Sequence, residues 1–269
     1  MISIYKNYHV AYWCIGIALM TGMVIAIVAF SDNTWYFPLT IIIPTIILIF
    51  VNAFIFTRLA SQRLTKEVLP LLYDCRAHEY IDRLRALFDK KTKGSVVSLY
   101  NTMLAWGYGA VDDYESVYEC CRKITAKNYQ LGKSQSMIDY YIKKDQIDLA
   151  QNEIEDLRKK TVLMKNPKLK ETFEISIKNA EYAIRIKQGN YERAEEHFKK
   201  MLDTIKPIKP LSQVSYSYSL GRLLILKGEP ERAKEYLQVA YDLGGDTKYK
   251  TFAKEQQIGI CGGNDYGKN

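Results

Sequence analysis

Cysteine, histidine and closely spaced glycine are the residues here whose chemistry could make a catalyst, and their spacing is the first question. The five cysteines, Cys14, Cys75, Cys120, Cys121 and Cys261, contain no C-x-x-C pair and no disulfide-scaffold spacing. They suit reduced thiols in a cytosolic compartment. Cys120 and Cys121 fall on one predicted helix, where at least one thiol should pack as a small apolar residue. The histidines, His9, His78 and His197, are scattered, so no metal-ligand set forms. His78 and His197 stand among charged neighbours, which predicts surface placement. Gly107 and Gly109 lack both the third glycine and the Gly-Lys-Ser/Thr ending that a phosphate cradle needs. No G-x-S-x-G, P-loop, H-E-x-x-H or paired-carboxylate pattern occurs. The expectation is a non-enzyme without cofactor or metal.

A net charge of +8 and a pI near 9.0 raise the possibility of nucleic-acid binding. The cations alternate with acids, as in Glu153-Ile-Glu155-Asp156-Leu-Arg158-Lys159-Lys160, the pattern of a solvated helix face. No nucleic-acid partner and no small-molecule substrate are expected. Lys6 and Asp32 are the only charged residues before Arg58, and they cancel, so the +8 belongs to residues 58–269. A basic excess there suits the anionic headgroups of an inner leaflet.

Residues 10–30 read VAYWCIGIALMTGMVIAIVAF without a charge, enough at about 1.5 Å per residue to cross a hydrocarbon core. After Ser31-Asp32-Asn33-Thr34, a second uncharged stretch covers residues 35–57. Tyr8, Tyr12 and Trp13 at one end and Trp35, Tyr36 and Phe37 near the break suit interfacial aromatic belts. Pro38 falls in the first turn of the second stretch, and Pro44 should kink it. The reading is a transmembrane hairpin over 1–58 that touches the bilayer through residues 10–57. The connection carries Asp32 and no cation, whereas Arg58, Arg63 and Lys66 follow the second stretch. Both termini are therefore expected on the cytoplasmic side, in a bacterial cell membrane. The rival is a signal peptide cleaved near Ala29-Phe30-Ser31. Against it stand an apolar stretch longer than usual and a leader with Lys6 alone.

After residue 60 the chain repeats itself. One unit carries Leu220, Gly221, Leu224, Gly228, Ala233, Leu237 and Ala240, with small residues where two helices must meet closely. A second carries Gly189, Tyr191, Ala194, Phe198 and Met201, so Gly189/Ala194/Phe198 and Gly228/Ala233/Leu237 share one spacing. Fainter copies lie at Asp145–Ile154, at Asp112–Cys121 after Leu104 and Tyr108, and at His78–Leu84. With turns at His78, Asp112, Asp145, Gly189 and Gly228, the longer intervals coincide with Asn166-Pro167 and with Pro207 and Pro210, where proline stops a helix.

These motifs resemble the tetratricopeptide repeat family over roughly residues 62–245, strongly in the last third and without its tryptophan. The resemblance implies an all-α chain: a TPR-like α-solenoid of about five helix pairs over 59–245, and a partly disordered extension over 246–269. It also implies a concave groove lined by the first helices. By analogy the groove-facing positions are Leu99, Thr102 and Trp106, then Gln135, Asp139 and Ile142. Ser176, Asn179 and Ala183 follow, then Ser215, Tyr218 and Arg222. Trp106, Gln135, Asp139, Asn179, Tyr218 and Arg222 are the candidate partner-binding set. They suit a protein or peptide partner held by hydrogen bonds and a few anchors. Arg222 has no matching lysine and Asn179 no partner asparagine, so the family's carboxylate clamp is absent. The expected function is a membrane-anchored scaffold or adaptor. The alternative is an accessory subunit of a transport or secretion complex, its hairpin packing through Gly16, Gly22 and Asn52.

Overall fold

The computed structural model describes residues 6–30, 62–88, 95–204 and 209–262, with helical positions 46, 47, 49–52, 54, 55, 58 and 59. Every regular element among them is helical. The polar connection at 31–34, Pro38, Pro44, Pro207 and the tail from residue 263 lie outside the described residues.

Helix α1 spans Lys6–Phe30, about 37 Å at 1.5 Å per residue. Its described apolar side chains are exposed, Ile25 and Val28 by about 60%. Most of the expected second span lies outside the described residues. Its described positions are helical, and Asn52 is buried beside Gly16, where a Cβ would meet the Asn52 amide at 3.3 Å. Gly16 and Asn52 thus meet each other within the chain, while Gly22 faces open space. Among the described residues no helix is long and apolar enough to cross a membrane. The side chains described without a break in α1 cover only residues 13–22.

A π-helical turn, Leu64–Val68, leads into α2 (Leu69–Tyr73), which pairs with α3 (Ala77–Leu87). Four more antiparallel pairs follow. They are α4 (Ser95–Ala110) with α5 (Tyr114–Arg122), and α6 (Gln130–Lys143) with α7 (Ile147–Val162). Then come α8 (Pro167–Lys187) with α9 (Ala194–Thr204), and α10 (Pro210–Leu226) with α11 (Pro230–Leu243). The last element is α12 (Lys248–Gly262), so most of the extension expected to be partly disordered is a helix.

Each pair turns on the same device. One residue takes left-handed backbone: Cys75 (φ 60°), Asp112 (66°), Asp145 (60°), Gly189 (76°) and Gly228 (78°). The next amide reaches back five residues, as Asp113 N to Tyr108 O at 3.0 Å and Glu229 N to Leu224 O at 2.9 Å. This Schellman closure satisfies carbonyls that a helix end leaves orphaned. Four of these positions are the turn residues expected from the sequence. The first is a correction, since the turn falls at Cys75 and not at His78, which already belongs to α3.

Small residues set the spacing both within and between the pairs. A Cβ on Gly221 would lie 2.8 Å from Leu237 Cγ, and one on Gly107 would lie 2.8 Å from Ile81 Cγ1. Successive pairs are laced along one edge by a lysine closing a first helix onto an acid of the preceding pair. Lys143 reaches Asp112 at 2.7 Å, Lys187 reaches Asp145 at 2.8 Å, and Lys227 reaches Glu195 at 2.5 Å. Glu195 also accepts from Lys199 and Arg232, and these three cations hold its carboxyl down to about 2.

The array curls until its two ends touch. Cys75 is buried in the same apolar cluster as Leu220, Leu237 and Ala253, and Leu211 packs against both this cluster and the one around Tyr80 and Leu84. Asp246 N donates to Cys75 O at 3.0 Å, and the Lys209 ammonium stands 3.3 Å from the Tyr73 ring centre.

Candidate functional site

The helices expected to line a groove touch one another in order. Helices α4, α6 and α8 are neighbours, α4 with α6 and α6 with α8. Gly132 permits the first contact, because a Cβ there would lie 2.7 Å from Thr102 Cγ2. Polar rungs tie the first helices together. Gln135 Nε2 donates to Ser176 Oγ at 2.9 Å, and Asn179 Nδ2 donates to Tyr216 Oη at 3.1 Å.

The six candidate groove residues separate into three groups. Trp106 is 38% exposed, with its ring edge over Gly132, and Arg222 is exposed near Tyr218, so both remain open to a partner. Gln135 and Asn179 are half-buried and spent on rungs between helices. Asn179 Oδ1 also accepts from His197 Nε2 at 2.8 Å, which makes it a structural residue. His197 is itself a correction, being 7% exposed and not at the surface. Thr102 is also buried, donating to Ser98 O at 2.7 Å.

Asp139 and Tyr218 form the third group, facing the chain's own C-terminal helix: it covers Tyr218, while Asp139 stays exposed near Lys248. Tyr218 packs between Tyr249 and Phe252 of α12, with ring centres at 5.7 and 5.8 Å. Ser215 Oγ donates to Tyr249 Oη at 3.1 Å. From α6, Lys143 stands 5.1 Å from the Phe252 ring centre. Lys248 donates to Tyr114 Oη at 2.8 Å, and burial, opposed by that ammonium, pushes the Tyr114 hydroxyl up to about 12. Burial likewise lifts the Tyr249 hydroxyl to about 12. The Asp139 carboxylate is exposed but has protein packed around it. The crowding raises its carboxyl above the ordinary range, Lys248 opposes this, and the solvent contact makes the loss of hydration partial.

One side of α12 thus presents Lys248, Tyr249 and Phe252 to α5, α6 and α10 together. The aromatic pair at i and i+3 is the sequence signal for this face. The buried cysteines are inert: burial pushes Cys75 and Cys120 up to about 11 and Cys121 to about 12. Among the described residues no group of histidine, cysteine and carboxylate side chains could hold a metal ion.

Comparison with protein-family models, curated proteins and solved structures found no match for this chain.

Proposed function

We propose that this chain is a membrane-anchored scaffold of tetratricopeptide type whose groove holds a helical segment of a protein partner on the cytoplasmic face. The observation that carries the reading is the seating of Tyr218 between Tyr249 and Phe252. A groove that accepts an amphipathic helix from its own chain has the width and aromatic lining to accept one from another. The Schellman turns and small-residue spacings support the repeat assignment. The anchor rests on the uncharged stretches at 10–30 and 35–57, the exposed apolar side chains of α1, and the approach of Gly16 to Asn52. Confining the groove to a surface raises its effective concentration toward partners held there. We read the chain as a binding protein and not as an enzyme.

The experiment compares two full-length variants after crosslinking in native membranes and purification. Tyr249→Ala with Phe252→Ala empties the groove and should increase the yield of a recurring partner. Tyr218→Ala with Arg222→Ala damages the wall and should lose that partner. If both variants keep it, and exchange of residues 1–58 for an unrelated hairpin abolishes it, recognition lies in the membrane segment. The chain is then an accessory subunit of a membrane complex.

A further inference from the structure

The fourth hairpin is built unlike the others. After the left-handed residue the second helix starts two positions on in the other four hairpins, at Ala77, Tyr114, Ile147 and Pro230. After Gly189 it starts only at Ala194, and the intervening Arg193 is itself left-handed at φ 58°. The longer turn lets α8 and α9 part, leaving between them a cavity of about 600 Å³, within the size range of small-molecule sites.

The walls of this cavity carry excess positive charge. Lys178 and Arg185 come from α8, Arg193 from the turn and Lys200 from α9. Among the described residues Lys178, Arg185 and Lys200 have no carboxylate within ion-pair distance, and Arg193 pairs with Glu192 at 3.6 Å. Two carboxylates also line the space. Arg158 already engages Glu181, so Glu196 is the one that opposes the four cations. The floor is rigid: the His197 ring stacks on Tyr182 at 4.6 Å and is pinned through Nε2 by Asn179. Burial holds the imidazole below its ordinary range, and the charges of Lys178 and Lys200 push it further down, so both ammoniums act on the same spot. The lysines that close first helices, Lys143, Lys187 and Lys227, are paired with acids, whereas Lys178 and Lys200 are not. Glu196 and Glu192 offset only part of the repulsion among the four cations.

We propose that this cavity binds a small polyanion carrying phosphate groups, held by Lys178, Lys200, Arg185 and Arg193 over the His197–Tyr182 floor. Guanidinium forks match phosphate oxygens in pairs, and ammonium groups add point charge. A phosphate-bearing anion relieves the crowding of like charge and fits the concave wall. The site is separate from the groove and does not depend on any partner there.

The test titrates full-length protein in detergent micelles with inorganic pyrophosphate at low ionic strength, read by calorimetry. Saturable one-to-one binding is expected, weakened at least about tenfold by Lys178→Gln with Lys200→Gln. Lys159→Gln with Lys254→Gln removes the same charge outside the cavity and should change affinity by less than about twofold. Both cavity lysines are exposed, so the variant should keep the wild-type melting temperature. Pyrophosphate should also raise the titration midpoint of His197 in proton NMR, because it offsets the two ammoniums. A second arm adds vesicles containing phosphatidylglycerol, with phosphatidylcholine vesicles as reference. Displacement of pyrophosphate by the anionic vesicles assigns the phosphate to a lipid headgroup, and undisturbed binding assigns it to a soluble compound. Absence of saturable binding, or equal loss in the control variant, overturns the site.

Discussion

The carboxylate of Asp246 accepts hydrogen bonds from the backbone amides of Ala77 and His78, at the start of a helix 169 and 168 residues earlier in the chain. A helix N-terminus leaves such amides without partners, and a capping carboxylate normally comes from the adjacent residue. Here Arg76 provides no side-chain cap, and Asp246 supplies it from the opposite end of the array. Asp246→Ala is therefore expected to destabilise the folded repeats by about 1–2 kcal/mol. Asp246→Asn, which keeps one acceptor, should cost less. Urea unfolding monitored by circular dichroism reads both, and an unchanged midpoint for the alanine variant would remove the cap from this account.

Gly221 tests the close approach within the fifth pair. Alanine is the better helix former by about 1 kcal/mol, so an exposed glycine would gain from the change. The new methyl would lie 2.8 Å from Leu237 Cγ, a branch point fully buried in the core. Gly221→Ala is expected to lose about 1–3 kcal/mol. Gly259→Ala, with open space around it, should be neutral or slightly stabilising in the same assay.

The buried imidazole of His197 gives the fold a pH dependence. Its basicity is lowered in the folded state, chiefly by burial and then by Lys178 and Lys200. The unfolded chain therefore binds more protons than the folded one below about pH 6.5, the ordinary range of the imidazole. The His197 contribution is complete above that pH and is lost as the pH falls through the depressed folded value. With Nε2 donating to Asn179, the proton adds at Nδ1. Melting temperatures measured from pH 7.5 to 5 should fall less for His197→Gln than for the parent. Parallel curves would show that His197 does not titrate differently on folding.

Thiol chemistry reports on the same core. Cys75, Cys120 and Cys121 are all buried, and burial pushes each thiol well above its ordinary range. At pH 7 they are expected to react with a water-soluble disulfide reagent only as fast as the fold opens. In denaturant all three should label at once. Rapid native labelling at Cys75 would mean that the contact between the two ends of the array is loose in solution.

Four of the five turns can be read from the sequence because left-handed backbone favours glycine, and aspartate after it. Gly189, Gly228, Asp112 and Asp145 declare themselves. Cys75 gives no such signal, since its thiol serves the apolar cluster of the far end and the turn takes what that cluster requires. His197 looks superficial among Glu195, Glu196, Lys199 and Lys200. Its helical spacing to Ala194, Phe198 and Met201 nevertheless puts it on the buried stripe, and that was the usable clue. For the groove, the sequence identifies its wall but not its contents. Tyr218 lies where the repeat pattern puts a groove residue. Nothing in that pattern says that Tyr249 and Phe252 occupy the space against it, because the period ends before α12. The cap from Asp246 leaves no local trace at all.

The meeting of the two ends changes how such an array should come apart. In an open solenoid each repeat leans only on its neighbours, so unfolding begins at the termini and can stop partway. Here the first turn is packed against the fifth pair, and the terminal repeats are no longer the weakest ones. Loss of any one pair opens the circle and strains the rest, which favours a single sharp transition over sequential fraying. Folding bears the opposite burden. The last contacts to form join residues nearly 170 positions apart, and so large a sequence separation slows the final step.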